Sequence, residues 1–183
     1  NGFPDSMIKT YRGAEKCGID KVKSIAGRAV LLDMPRYFGT EYVDAPKIIS
    51  SAELLDCAAK QRVELRAGDI LLIRTGWMKV FHSDKDRWTE MQPGIGIDAS
   101  HMIAERDFVA VGADNATIEA VPYEDDVFLA GHVELIRNHG IYLMELMNLE
   151  ELAADEAYES FLVVAPLIIK GAMGSPVNPI AIA

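Results

Sequence analysis

The apolar positions of this chain fall into short continuous runs, separated by polar stretches rich in Gly and Pro. Arg28–Met34 (RAVLLDM) is a run of buried-strand type, closed by Pro35. Ala67-Gly68-Asp69 predicts a turn into Ile70–Ile73, the strongest strand in the sequence. Phe108–Gly112, Ile141–Met144, Phe161–Ala165, Ile168-Ile169 and Ile180–Ile182 predict further strands. Ile70–Thr75, Phe108–Gly112 and Phe161–Ala165 show no polar alternation, which predicts cover on both faces of the sheet. Helical positions are marked by caps. Ser50 followed by Glu53 is a capping box, opening a helix through about Gln61 with Leu54, Leu55 and Ala58 on one face. Asp98 is expected to cap a helix through about Arg106. A helix over Ala130–Asn138 should stop at Gly140. Asn148 with Glu151 predicts a last capping box and a short helix through Ala154. Residues 1–27, punctuated by Gly2, Pro4, Gly13, Gly18 and Gly27, read as loop with short helical turns. Helices alternating with buried strands predict an α/β or mixed α+β class, a mixed sheet packed by helices. No repeat or linker interrupts the chain, so residues 1–183 are expected to form one domain.

Composition narrows the function classes. Of 183 residues, 50% are hydrophobic and 25% charged, enough apolar surface to offset the ordering entropy that keeps polar chains disordered. The densest apolar runs, such as Phe161–Ile169, fall short of the roughly 20 residues that a membrane-spanning helix needs. That run suits an oligomer interface as well as a core. A net charge of −10 argues against a nucleic-acid partner, which requires clustered Lys and Arg. Two cysteines, Cys17 and Cys57, with no CxxC, point to a reducing compartment and a cytoplasmic protein. No signal peptide is visible at Asn1, and an opening Asn-Gly-Phe-Pro reads as a chain whose true beginning lies upstream.

Most catalytic motifs are absent: there is no GxGxxG, Walker loop, HExxH or GxSxG. Pro93-Gly94-Ile95-Gly96 reads as a turn. Of the four histidines, His82 lies in a polar loop, His101 inside an amphipathic helix, and His139 just before Gly140, where it favours the helix dipole. His132 is different. It begins a helix after the small-residue turn Ala130-Gly131, and Glu145 ends the apolar run Ile141–Met144. A carboxylate at the end of a buried run needs a partner, because burying it alone is costly. Imidazole plus carboxylate suits Zn or Mn. A helix-capping His and a solvated strand-edge Glu fit the same spacing.

The segment from His132 to Leu146 (HVELIRNHGIYLMEL) resembles the cyclase family of metal-dependent hydrolases, which includes bacterial kynurenine formamidase and isatin hydrolase. Further matching pieces are RAVLLD (28–33), GDILLIRTGW (68–77), Pro93-Gly94-Ile95, VGAD (111–114), LEELAAD (149–155) and GAMGSPVNP (171–179). The C-terminal pattern is most similar to the longer subgroup of that family. The resemblance implies a swivelling β/β/α fold. It also implies a metal centre, often binuclear, built on a His-x-Gly-Thr-His-x-Asp-x-Pro motif and completed by a later His and Glu, here His132 and Glu145. No HxGTHxD motif occurs in this chain, which resembles the C-terminal two-thirds of such an enzyme; the catalytic residues are expected upstream of Asn1. A divalent metal, Zn or Mn, would acidify a water and polarise an amide carbonyl, with a His of the missing motif moving the proton. The implied substrates are small molecules: N-formyl arylamines, cyclic imides or lactam-like rings. Family members form dimers or tetramers, so a homo-oligomer is expected. Asp114 either steadies a metal ligand or braces a loop. Trp77 either lines an aryl pocket or packs in the core. Leu146 stands where many relatives carry Asn, which removes an accessory hydrogen bond. The rival expectation is a non-catalytic fragment or pseudoenzyme that serves as a binding or assembly subunit.

Overall fold

A computed structural model describes residues 3–183. The first part of the chain holds β1 (Ile8–Lys9), β2 (Gly13–Ala14), β3 (Ile25–Asp33), α1 (Met34–Phe38), β4 (Ile48–Ile49), α2 (Ser51–Gln61) and β5 (Ile70–Arg74). The middle holds α3 (Met78–Ser83), α4 (Lys85–Glu90), β6 (Gly94–Ile95), α5 (Ile97–Glu105) and β7 (Ala110–Ala113). A single turn, α6 (Ala130–His132), runs into a π-helix over Val133–His139. Then follow β8 (Tyr142–Met144), α7 (Glu150–Ala154), β9 (Glu159–Val164) and β10 (Ile180–Ile182). The chain divides into two compact units, Ala29–Glu159 and the pair of terminal segments 1–28 and 160–183. Strands of both senses alternate with helices, as the mixed α/β expectation requires.

In the larger unit, β3, β5, β7 and β8 pair in that order, all parallel. Asp33 is in register with Arg74 and Leu72 with Gly112, so the four carboxyl ends lie along one edge. Every residue of β5 and β7 is buried, and the predicted two-sided cover is present. On one face Val30, Leu32, Leu71, Ile73 and Val111 join Leu54 of α2 and Ile103 of α5 in the core. The other face has no room to spare at Gly112: a Cβ there would lie 2.4 Å from the sulfur of Met147 and 2.8 Å from Leu72. Burial of each such aliphatic side chain contributes roughly 1.5–3 kcal/mol.

Helix α2 starts where its sequence predicts. Ser50 Oγ accepts from the Glu53 amide at 3.3 Å, and the Glu53 carboxylate accepts from the Ser50 amide at 2.8 Å. Ser50→Ala is expected to lower stability by about 1 kcal/mol in urea denaturation, through loss of the cap. An unchanged midpoint would count against that assignment. Asp98, by contrast, does not cap its own helix. Gly96 is the N-cap of α5, and the first-turn amide of Ile97 is taken by Glu124 at 2.8 Å. Asp98 accepts instead from the amide and hydroxyl of Ser51, at 2.9 and 2.8 Å, tying the starts of α2 and α5 together.

Other expectations shift. The strand near Phe108 begins at Ala110, and the one near Ile141 at Tyr142. Leu149, not Asn148, is the N-cap of α7; Asn148 only accepts from the Glu150 amide at 3.2 Å, and the predicted Asn148–Glu151 capping box does not form. The helix after Ala130 continues in π geometry, which sequence periodicity does not distinguish from α. It still stops at Gly140, whose φ of 73° is the left-handed conformation a C-terminal glycine supplies without strain.

In the smaller unit, β1 pairs antiparallel with β2, and β10 antiparallel with β9. The first segment thus carries a short β-ribbon besides its two 3-10 turns. Strand β9 alternates: Ser160, Leu162 and Val164 are buried while Phe161 is exposed, so two-sided cover fails here. One-sided burial is ordinary in antiparallel pairs. Ile168 and Ile169 form no strand; they are exposed, between Pro166 and the turn at Gly171. Among the described residues, no helix is long and apolar enough to cross a membrane.

Candidate active site

Charged and polar groups collect where the parallel strands of the larger unit end, the place where open α/β sheets carry function. Asp33 ends β3, Arg74 ends β5, Asp114 follows β7 and Glu145 follows β8. The Arg74 guanidinium donates to Asp33 at 2.7 Å and makes a two-pronged contact with Glu150 at 2.9 and 3.0 Å. Both Asp33 and Arg74 are buried.

Asp114 braces the turn after β5. Its carboxylate accepts from the Thr75 amide at 2.8 Å, the Thr75 hydroxyl at 2.5 Å and the Gly76 amide at 2.7 Å. Near-complete burial pushes the carboxyl up from 3.8 to about 6, against the pull of those hydrogen bonds. A folded pKa above the unfolded one contributes stability below pH 3.8 that is lost as pH rises through 6. Measured against Asp114→Asn, the wild type should therefore lose on the order of 3 kcal/mol of relative stability between pH 3.5 and 7. A difference that moves the other way would show that the hydrogen bonds outweigh burial.

His132 and Glu145 do come together. Imidazole Nε2 stands 3.3 Å from Glu145 Oε1, and Nδ1 stands 2.6 Å from Glu119 Oε1. Glu119 also accepts from the Gly131 amide at 2.7 Å and the His132 amide at 3.0 Å. Burial disfavours the imidazolium, but the hydrogen bonds and charges of Glu119 and Glu145 win and raise His132 to about 9. Sequence reasoning missed Glu119. The available clue was a lone acid within the apolar stretch Ile118-Glu119-Ala120-Val121, which demands a partner. It missed Asn115 as well. Fully buried, Asn115 donates to the Pro93 carbonyl at 2.7 Å and accepts from the Ile118 amide at 2.9 Å, while its own carbonyl takes the Leu146 amide at 2.9 Å.

Backbone strain marks the same place. Ile118, Leu129 and Leu146 have φ of 62°, 54° and 57°. Each is a branched, non-glycine residue in the left-handed region, and these positions flank Glu119, the His132 turn and Glu145. Such outliers persist only where surrounding structure enforces them, and they cluster at functional sites. A cavity of about 290 Å³ opens beside Glu119, lined by Ile95, Ile97, Ala120, Val127 and Ala130, with Glu124 and Asp125.

Trp77 lies elsewhere. It is fully buried, edge-on to Tyr42 at 5.9 Å with the Arg87 guanidinium over its ring, and it is not among the cavity's lining residues. Its indole N–H is without a partner among the described residues. Cys57 is no nucleophile: burial, with help from Asp33, pushes its thiol up to about 12. The exposed His101 and His139 face one half-buried carboxylate, Glu134, at 3.2 and 3.0 Å. Among the described residues, no three His, Cys, Asp or Glu side chains are grouped to hold a metal ion.

Comparison with known proteins shows the family and the fold. No curated protein matches the chain significantly. A solved structure described as a novel cyclase is 40% identical and superposes with a TM-score of 0.89, covering 100% of this chain and 62% of that protein. Isatin hydrolase A from Labrenzia aggregata shares the fold at 21% identity and a TM-score of 0.70, covering 90% of this chain and 64% of that one. A predicted metal-dependent hydrolase from Bacillus stearothermophilus does so at 18% identity and a TM-score of 0.60, over 86% and 63%. The chain thus spans less than two thirds of the length of each of these relatives. The Cyclase family model matches residues 5–120, and the chain belongs to the Cyclase family.

Proposed function

We propose that this chain carries half of the metal site of an amide hydrolase, with His132 Nε2 and the Glu145 carboxylate as ligands to one divalent ion, Zn or Mn. The observation that carries the reading is their 3.3 Å separation at the carboxyl end of a parallel strand. Two donors at roughly 2.0–2.2 Å from one ion stand roughly 3–4 Å apart. A neutral imidazole lone pair and a carboxylate oxygen that face each other at this distance repel unless a cation or proton lies between them. The donor set, one imidazole and one carboxylate, suits both metals. A catalytic zinc normally keeps three protein ligands, so the reading requires further ligands from a segment that this chain does not contain.

When bound, a divalent ion supplies Lewis acidity, which makes water a nucleophile near neutral pH and polarises an amide carbonyl. The chain's own residues supply position. His132 is fixed at the first turn of its helix and Glu145 by the strand it ends; the cavity beside Glu119, which neither side chain lines, offers Ile95, Ile97 and Val127 as an apolar wall for a small ring. Small amides are the proposed substrates: N-formyl arylamines, cyclic imides and lactam-like rings, in keeping with the isatin hydrolases that share the fold.

The second reading is a non-catalytic subunit. It is favoured by the lack of a third grouped ligand among the described residues. Metal-reconstituted intact protein, assayed against formamides, cyclic imides and lactones, separates the two. Metal-dependent turnover of any of these supports the hydrolase. Stoichiometric metal uptake with no turnover across the panel favours the binding subunit.

A further inference from the structure

We propose that Glu119 is the positioning residue of this site: its carboxylate holds a proton on His132 Nδ1, so that the ring offers Nε2 as its lone-pair donor. The inference rests on the metal-site reading for its purpose, but its geometry stands independently.

An ionised carboxylate can only accept, so the 2.6 Å contact between Glu119 Oε1 and Nδ1 requires Nδ1 to be the donor. The neutral ring has one proton to place between two carboxylates. Glu119 is the better acceptor. It is 7% exposed, and both of its oxygens are already aimed by the amides of Gly131 and His132. Glu145 stands farther from its nitrogen, at 3.3 Å, with a side chain 36% exposed.

Neither the Glu119 carboxylate, packed on Gly131, nor its backbone, packed on Gly94, leaves room for a side chain at those glycines. A Cβ on Gly131 would fall 2.8 Å from Glu119 Cδ and 2.8 Å from Ser100 Oγ, and one on Gly94 would fall 2.2 Å from the Glu119 carbonyl carbon. The backbone before Glu119 is held in its left-handed turn at Ile118, whose carbonyl accepts from the Ile95 amide at 2.9 Å. A group placed this tightly fixes one tautomer and one ring orientation, the service that carboxylates give to metal-binding imidazoles.

A helix-capping role alone would use the two amides and leave the ring free, so the test reads the ring. In 15N-labelled, metal-free protein, at a pH above the imidazole titration, two-bond 1H–15N correlation reports which nitrogen of His132 carries the proton. The expected result is the Nδ1–H form in the wild type and a shift toward Nε2–H in Glu119→Gln. The intact variant's Zn2+ affinity should fall about 10- to 100-fold, with its melting temperature near that of the wild type. A wild-type ring protonated on Nε2 overturns the proposal, and this measurement needs no variant that folds. An Nδ1–H ring and a Zn2+ affinity that are both unchanged in Glu119→Gln overturn it too. An Nδ1–H ring that depends on Glu119, in an intact protein whose Zn2+ binding does not involve His132, would support the positioning role while the metal-site reading fails.

Discussion

His132→Ala and Glu145→Gln are each expected to weaken divalent-metal binding by the intact protein more than about 100-fold and to abolish metal-dependent hydrolysis, with the fold preserved. Each substitution removes one of the two donors that meet at 3.3 Å, and Gln keeps the shape of Glu while losing its charge. The fold should survive because neither side chain belongs to the core. Strand β8 is held by its parallel pairing with β7, and the preceding helix is closed by the Gly140 cap. Glu119 keeps two amide partners when the imidazole is gone. Isothermal titration with Zn2+ and Mn2+, with thermal melts alongside, checks both halves of the expectation. Wild-type affinity in either variant would remove that residue from the ligand set.

Arg74→Met is expected to be the most destabilising single change, at about 3–5 kcal/mol. Arg74 is the cation between Asp33 and Glu150, and Asp33 has a side chain only 3% exposed. Removing the guanidinium leaves the Asp33 carboxylate buried, with the more distant Arg36, at 3.4 Å, as its one cationic neighbour among the described residues. The cost is that of the stranded anion, more than the worth of the ion pair itself. Glu150→Gln should cost far less, because Glu150 is 38% exposed and water can replace its half of the contact. Urea denaturation of both variants tests the ranking. A loss below 1 kcal/mol for Arg74→Met would mean that Asp33 finds another partner or a proton.

Legibility in the sequence followed the physics of each element. Strands buried on both faces, β5 and β7, show as unbroken apolar runs because nothing polar can sit on either side. The Ser50–Glu53 box shows because both of its hydrogen bonds are local. Asp98 misleads because it satisfies the amide and hydroxyl of Ser51, 47 residues away, while Gly96 is the N-cap of α5. Phe161–Ala165 misleads because a one-sided strand can still be apolar on its exposed face, as Phe161 is. At the site, His132 and Glu145 were readable as a pair because a short helix, Gly140 and a short strand join them. Glu119 and Asn115 were not. Their partners are set by a tertiary turn whose strained backbone at Ile118 leaves no pattern in the residue types. Residue type alone leaves two roles open for Asp114 and for Trp77; Asp114 binds the Thr75–Gly76 turn and Trp77 packs in the core because of contacts distant in sequence.

The central claim, that His132 and Glu145 share one metal ion, is tested most directly by anomalous diffraction at the zinc edge from Zn2+-loaded crystals of the intact protein. The account predicts a peak within about 2.2 Å of both His132 Nε2 and a Glu145 carboxylate oxygen. A fully occupied peak elsewhere, for instance among His101, Glu134 and His139, with His132 Nε2 still against Glu145, would contradict it.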